Sequence, residues 1–156
     1  MIFGATATHA LRALAHLATR EDGAPALGRD LAREVGVPTH SLAKVLATLA
    51  RAGVLSASRG AKGGYRLARP AREITLVEVV EPIEGRRVRP GCLLSPGQAC
   101  GEDSPCPAHA SWSSAKDAFV KFLETTTLAD IQGRTGPVHA PRSRSTHSTR
   151  RRKRNR

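Results

Sequence analysis

Two short runs of apolar residues at helical spacing, separated by Gly36-Val37-Pro38, constrain this chain more than any other feature of its 156 residues. Leu27, Leu31 and Val35 recur at i, i+4 and i+8, and Gly36 stops the helix they predict. Leu42, Val45, Leu46 and Leu49 then repeat the pattern in a third helix. Thr39 is expected to cap its start and Gly53 to sit at its C′ position. The three-residue connection leaves the two helices little choice but to pack across a tight turn. Upstream, Ala7, Leu11, Leu14 and Ala18 predict a first helix over residues 5–20, with Thr8, Arg12 and His16 on a separate polar stripe.

From Val54 the period drops towards two. Residues 54–58 and 65–69 read as short strands joined by Arg59-Gly60-Ala61-Lys62-Gly63-Gly64, a hairpin. Aromatic residues make up only 3% of the chain, so the core has to be built from Ala, Leu and Val. Thr75 and Glu78 form a capping box that opens a helix with Leu76, Val79, Val80 and Ile83 on one face, ended by Gly85. Residues 86–108 lose all periodicity and hold Pro90, Pro96, Pro105, Pro107 and all three cysteines. A structureless stretch of that length needs a reason, such as a bound metal. Trp112, Ala115, Phe119, Phe122 and Leu123 mark a last long helix over about residues 111–125.

The fold class expected is mainly α with a small β-hairpin wing. Residues 1–85 form a winged helix-turn-helix domain and residues 86–110 a cysteine-rich loop. Residues 111–133 form a long helix with a short C-terminal turn, and residues 134–156 a disordered basic tail. No apolar run approaches the ~18 residues of a membrane span, and the chain's start lacks a basic n-region. Three cysteines cannot all pair with one another, which fits a reducing cytoplasm better than a disulfide framework.

The formal net charge of +12 is unevenly spread. Residues 134–156 carry nine Arg or Lys and no acid. Residues 1–80 carry 11 basic and 6 acidic side chains, and residues 81–133 carry 5 and 7. The folded part is therefore only modestly basic, and charge alone does not separate a nucleic-acid surface from an ordinary solvated one. Geometry is more specific. In a winged helix-turn-helix the helix from Thr39 enters the major groove, and His40, Ser41, Lys44, Thr48 and Arg51 are the residues its core face does not use. They carry groups that reach bases or phosphates, although a merely solvated face would carry them too. At the hairpin tip Arg59 and Lys62 flank small residues, and a thin cationic wing fits a minor groove.

Cys92-x7-Cys100-x5-Cys106, with His109 three residues on, places three soft ligands and an imidazole within 18 residues. Thiolates select zinc or iron–sulfur centres, and structural zinc sites generally use closer Cys pairs than these. An iron–sulfur cluster, zinc, and redox-switching thiols all remain open on spacing. Catalysis is not expected: Cys106 and His109 have no orienting third group or oxyanion hole in such a loop.

These residues converge on a resemblance. The string Gly53-Val54-Leu55-x-Ala57-Ser58-Arg59-Gly60-x-x-Gly63-Gly64-Tyr65-x-Leu67, then Ile74-Thr75-Leu76, the three-cysteine loop, and Leu123-x-x-Thr126-Thr127-Leu128-Ala129-Asp130 resembles the IscR/NsrR-type winged-helix regulators over residues 1–133. The resemblance implies a homodimeric, cytoplasmic transcription factor, expected to be a repressor, that binds a double-stranded DNA operator. Residues 111–125 would be the dimerisation helix. Cys92, Cys100 and Cys106 would ligate an iron–sulfur cluster, 2Fe-2S or 4Fe-4S, which senses iron, redox state or nitric oxide and gates operator affinity. For the fourth ligand, where some members offer a carboxylate in the first helix, this chain has Thr8, a poor ligand; the choice lies between His109, His9 of either subunit, and an exogenous thiol or water, with His109 expected. Position 43, acidic in the cluster-assembly regulator, is Ala43, so no operator sequence carries over, and the basic tail lies outside the family pattern. The alternatives are a winged-helix regulator with structural zinc or redox-switching thiols, and a less specific nucleic-acid-binding protein driven by its tail.

Overall fold

The computed structural model describes residues 3–20, 23–60, 63–85, 91–94 and 105–133. Helix α1 spans Ala5–Leu17, α2 Gly28–Val35 and α3 Thr39–Arg51, followed by strands β1 (Leu55–Ser58) and β2 (Gly64–Leu67). A 3-10 turn at Ala71–Glu73 leads to α4 (Leu76–Glu84); α5 (His109–Thr125) and the short α6 (Leu128–Ile131) follow. The result is the mainly helical, winged architecture expected.

The buried face of α1 is wider than the expected stripe. Ala7, Ala10, Ala13, Leu14, Ala15 and Leu17 are buried, while Leu11 and Ala18 are only half-buried. Alanines let α2, α3 and α4 approach α1 closely, a role that periodicity of large residues does not reveal. The polar stripe faces α2 rather than open solvent. The Arg12 guanidinium donates to the carbonyl of Val35, and His16 Nε2 lies 2.8 Å from Glu34 Oε2. Gly36 ends α2 at φ +65°, and the amide of Val37 returns to Ala32 O at 2.9 Å, which satisfies carbonyls left over at the helix end.

The cap of α3 differs from expectation. Pro38 is the N-cap and Thr39 the first helical residue, with no side-chain cap bond; the amide of Leu42 bonds to Pro38 O at 3.0 Å. Proline's fixed φ presets the chain for helix entry, so Thr39 is not needed as a cap. Leu42, Val45, Leu46 and Leu49 are buried at 2% exposure or less. Each contributes roughly 1.5–3 kcal/mol of burial, and truncation of one to alanine should cost ~2–5 kcal/mol.

The hairpin pairs Leu55 with Leu67 and Ser58 with Gly64, antiparallel. Ala26 extends this sheet by a bridge to Tyr65, with 2.8 Å bonds in both directions. Gly64, at φ +146°, allows that approach: a Cβ there would stand 2.5 Å from Ala26 O. Further on, the amide of Leu76 bonds to Thr126 O and that of Leu128 to Ile74 O, both at 2.9 Å. The end of α5 and the start of α6 are thereby stitched to the segment that leaves the wing. Thr127 and Asp130 form a second capping box, the Thr127 amide lying 2.8 Å from Asp130 Oδ2.

Candidate functional site

Helix α3 is divided sharply between its two sides. Against the four buried aliphatics stand His40, Lys44 and Arg51, all exposed, with Ser41 and Thr48 half-exposed at the margin. Ser41, Lys44, Thr48 and Arg51 fall at i, i+3, i+7 and i+10, which places them along one stripe. Arg51 Nη2 donates to Thr48 Oγ1 at 3.3 Å; no ion pair to a described residue engages His40 or Lys44. Ala43 and Ala47 are exposed on the same side and leave the helix backbone open to close approach.

Arg59 is exposed at the wing tip, and Lys62 lies outside the described residues. Of the wing glycines, Gly63 and Gly64 serve the chain's own backbone: a Cβ on Gly63 would overlap Ser58 O, and the Gly63 amide bonds to Gly60 O at 2.9 Å. Only Gly60, at φ +106° with open space around it, leaves backbone accessible beside Arg59.

Of the cysteines, Cys92 and Cys106 are half-buried and Cys100 lies outside the described residues. Helix α5 begins at His109, not at Ser111, because the His109 amide already bonds to Cys106 O at 2.9 Å. Cys106 therefore sits in the turn that leads directly into His109 and the helix. Nδ1 of His109 is buried and has no hydrogen-bond partner among the described residues, an expensive state for a polar atom unless something else binds it. Among the described residues no three His, Cys, Asp or Glu side chains converge as ligands of one ion would. The alternative ligands in α1 stand differently. Thr8 Oγ1 donates to Gly4 O at 3.1 Å within the first turn, and His9 is half-buried.

One contact in this region had no signal in the sequence. Trp112 Nε1 donates to Gly91 O over 2.8 Å, across 21 residues. A half-buried indole N–H seeks an acceptor, but nothing in spacing says which.

Helix α5 buries only Leu123 completely. Phe119 packs its ring 5.7 Å from that of Phe3, whereas Phe122 remains 47% exposed. No helix among the described residues is long and apolar enough to cross a membrane.

Comparison with known proteins matches these features. The Rrf2 family, described as an iron-dependent transcriptional regulator, matches residues 4–134. A protein of Aquifex aeolicus provisionally named an HTH-type transcriptional regulator is 34% identical over 133 residues, covering 84% of this chain and 91% of its own. Among solved structures, CymR, the global cysteine regulator of B. subtilis, is 25% identical with a TM-score of 0.71, covering 83% of this chain and 94% of its own. T. potens IscR, at 24% identity and a TM-score of 0.66 with 82% and 83% covered, shares the fold. With the family matched from α1 to the end of α6, the chain is a member of the Rrf2 family of winged-helix transcriptional regulators, which are DNA-binding proteins and not enzymes.

Proposed function

We propose that this Rrf2 protein is a homodimeric, operator-specific repressor whose DNA affinity is set by an iron–sulfur cluster held in the segment between α4 and α5. The observation that carries the DNA half is the division of α3: Leu42, Val45, Leu46 and Leu49 are spent on the core, and His40, Ser41, Lys44, Thr48 and Arg51 are left on the outer side. With α3 in the major groove, these residues meet base edges and phosphates, and Arg59 and Lys62 of the wing enter the adjacent minor groove. Two subunits joined through α5 read two half-sites about one helical turn apart.

For the cluster half, the chemistry of the donors fits, three thiolates in Cys92, Cys100 and Cys106 and the Nδ1 of His109 as fourth ligand, while Cys92, Cys106 and His109 do not yet converge on one point. A bound cluster supplies an electron-accepting, nitric-oxide-reactive centre. The chain's own part is to hold two of these ligands, Cys106 in the turn that enters α5 and His109 at its first position. A change in ligation there is felt directly by the helix proposed to join the subunits.

The test is anaerobic purification with iron, acid-labile sulfide and absorbance measured together, followed by operator binding of loaded and stripped protein. A brown or red protein whose two forms differ in affinity supports the proposal. Likeness to CymR, a cysteine regulator by name, favours thiol switching as the second reading. In that case the protein is colourless and free of sulfide, and operator affinity follows the oxidation of Cys92, Cys100 or Cys106. A colourless protein that contains zinc would make the site structural.

A further inference from the structure

Trp112 is the chain's one tryptophan, and its indole has a single donor to place. It places it on Gly91 O at 2.8 Å, the residue before Cys92. The indole is mounted on a firm base: the Trp112 amide bonds to Ala108 O and the His109 amide to Cys106 O, both at 2.9 Å. Cys106 thus lies in the turn that leads into α5, and His109 and Trp112 in the helix's first turn. Cys92 stands 14 positions before Cys106 in sequence, and the two residues that follow it are exposed. Leu93 is 50% exposed and Leu94 71% exposed.

We infer that Trp112 is a positioning residue: its N–H clasps the Gly91 carbonyl, so that the backbone carrying Cys92 is docked on the helix start that carries Cys106 and His109. Spacing alone leaves a loop of this length free to sample many separations between its first and last cysteine. A directional bond from an aromatic ring on a helix selects one. The clasp deepens the proposed sensor site and rests on that reading for its purpose, but the contact itself is independent of what the cysteines bind.

The experiment uses the full-length protein, reduced and stripped of metal, in wild-type and Trp112→Phe forms. Phenylalanine keeps a ring and removes the donor. Alkylation by iodoacetamide is followed at each cysteine by peptide mass spectrometry. Cys92 should react about three- to tenfold faster in the variant, the range one net hydrogen bond contributes to a local opening equilibrium, while Cys106 keeps its wild-type rate. Trp112→His, which retains a ring N–H, should restore part of the protection. An unchanged Cys92 rate overturns the inference. So does an equal rise at Cys92 and Cys106, which would mean that the start of α5 had frayed instead. Anaerobic cluster loading is then measured on the same proteins, where faster cluster loss in the Phe variant is expected. If no form takes up a cluster while Cys92 still responds to Trp112→Phe, the clasp stands and the cluster reading falls.

Discussion

The guanidinium of Arg69, two residues beyond β2, reaches the carboxylate of Glu78 in α4 at 2.5 Å and the carbonyl of Glu73 at 3.1 Å. One side chain thus ties the exit of the wing to the first turn of α4. Glu78 also accepts from the amide and hydroxyl of Thr75. Burial pushes the Glu78 carboxyl upward, but the Thr75 amide, Arg69 and the Thr75 hydroxyl together outweigh it and hold the group below its ordinary value of 4.5. A depressed folded value stabilises above the unfolded value and is lost as pH falls through the folded one.

Glu78→Gln should therefore destabilise at neutral pH by about 1 kcal/mol, the usual worth of a cap with a partly exposed ion pair. The gap to wild type should close as pH falls well below 4.5, because wild type then loses its own charge. Thermal unfolding of both proteins across that range checks this; a gap that stays constant into acid would mean the carboxylate's charge contributes nothing.

At the wing tip, Arg59→Ala should weaken operator binding by about 1–3 kcal/mol, the worth of one good groove contact, with no loss of stability. Arg59 is exposed, so the fold does not depend on it. Titration of the chain's own promoter region at moderate salt reads the effect, and unchanged affinity would remove the wing from the interface.

The nine basic residues of 134–156 follow a segment stitched beside the wing's exit through Leu76 and Leu128. Such a run meets phosphates and reads no bases. Deleting residues 134–156 should flatten log K against log salt by about 0.9 per lost phosphate contact while preference for the operator survives. Loss of discrimination between operator and random DNA on truncation would instead make the tail a specificity element.

Phe122 is 47% exposed on a helix that buries only Leu123, and an apolar face of this kind is usually covered. Phe122→Asp should shift the protein towards monomer in sedimentation at micromolar concentration and weaken operator binding with it. A variant that remains dimeric would move the interface away from this part of α5.

Much of this architecture was legible because its signals are local. The apolar spacing of α3, the Gly36 stop and the Thr75/Glu78 box each act within one or two turns, and each is found where expected. The misses have several causes. Ala10, Ala13 and Ala15 are buried because other helices approach them, which no pattern of large residues marks. Pro38 takes the N-cap position because the helix starts one residue earlier than expected, which leaves Thr39 at the first helical position, where its side chain does not cap. The box at Thr127 and Asp130 carries a local signal, a threonine followed three residues later by an acid. The Trp112 bond to Gly91 carried none, since its partners are 21 residues apart.

The fourth cluster ligand offers the sharpest test of the sensor site. His109 is three residues from Cys106 across the turn that enters α5, and its Nδ1 is buried without a partner among the described residues. Thr8 spends its hydroxyl on Gly4 O, which leaves His9 as the competitor from α1. Imidazole is a competent iron ligand, and exchanging thiolate for nitrogen raises a cluster's potential. The comparison is His109→Ala against His109→Cys under anaerobic reconstitution. With histidine ligation, the alanine protein should show an altered spectrum or lose its cluster faster. The cysteine protein should bind stably at lower potential than wild type, because a thiolate restores negative charge at the iron. If both variants match the parent in spectrum, cluster lifetime and potential, His109 does not ligate, its bare Nδ1 needs another explanation, and His9 is the next residue to remove.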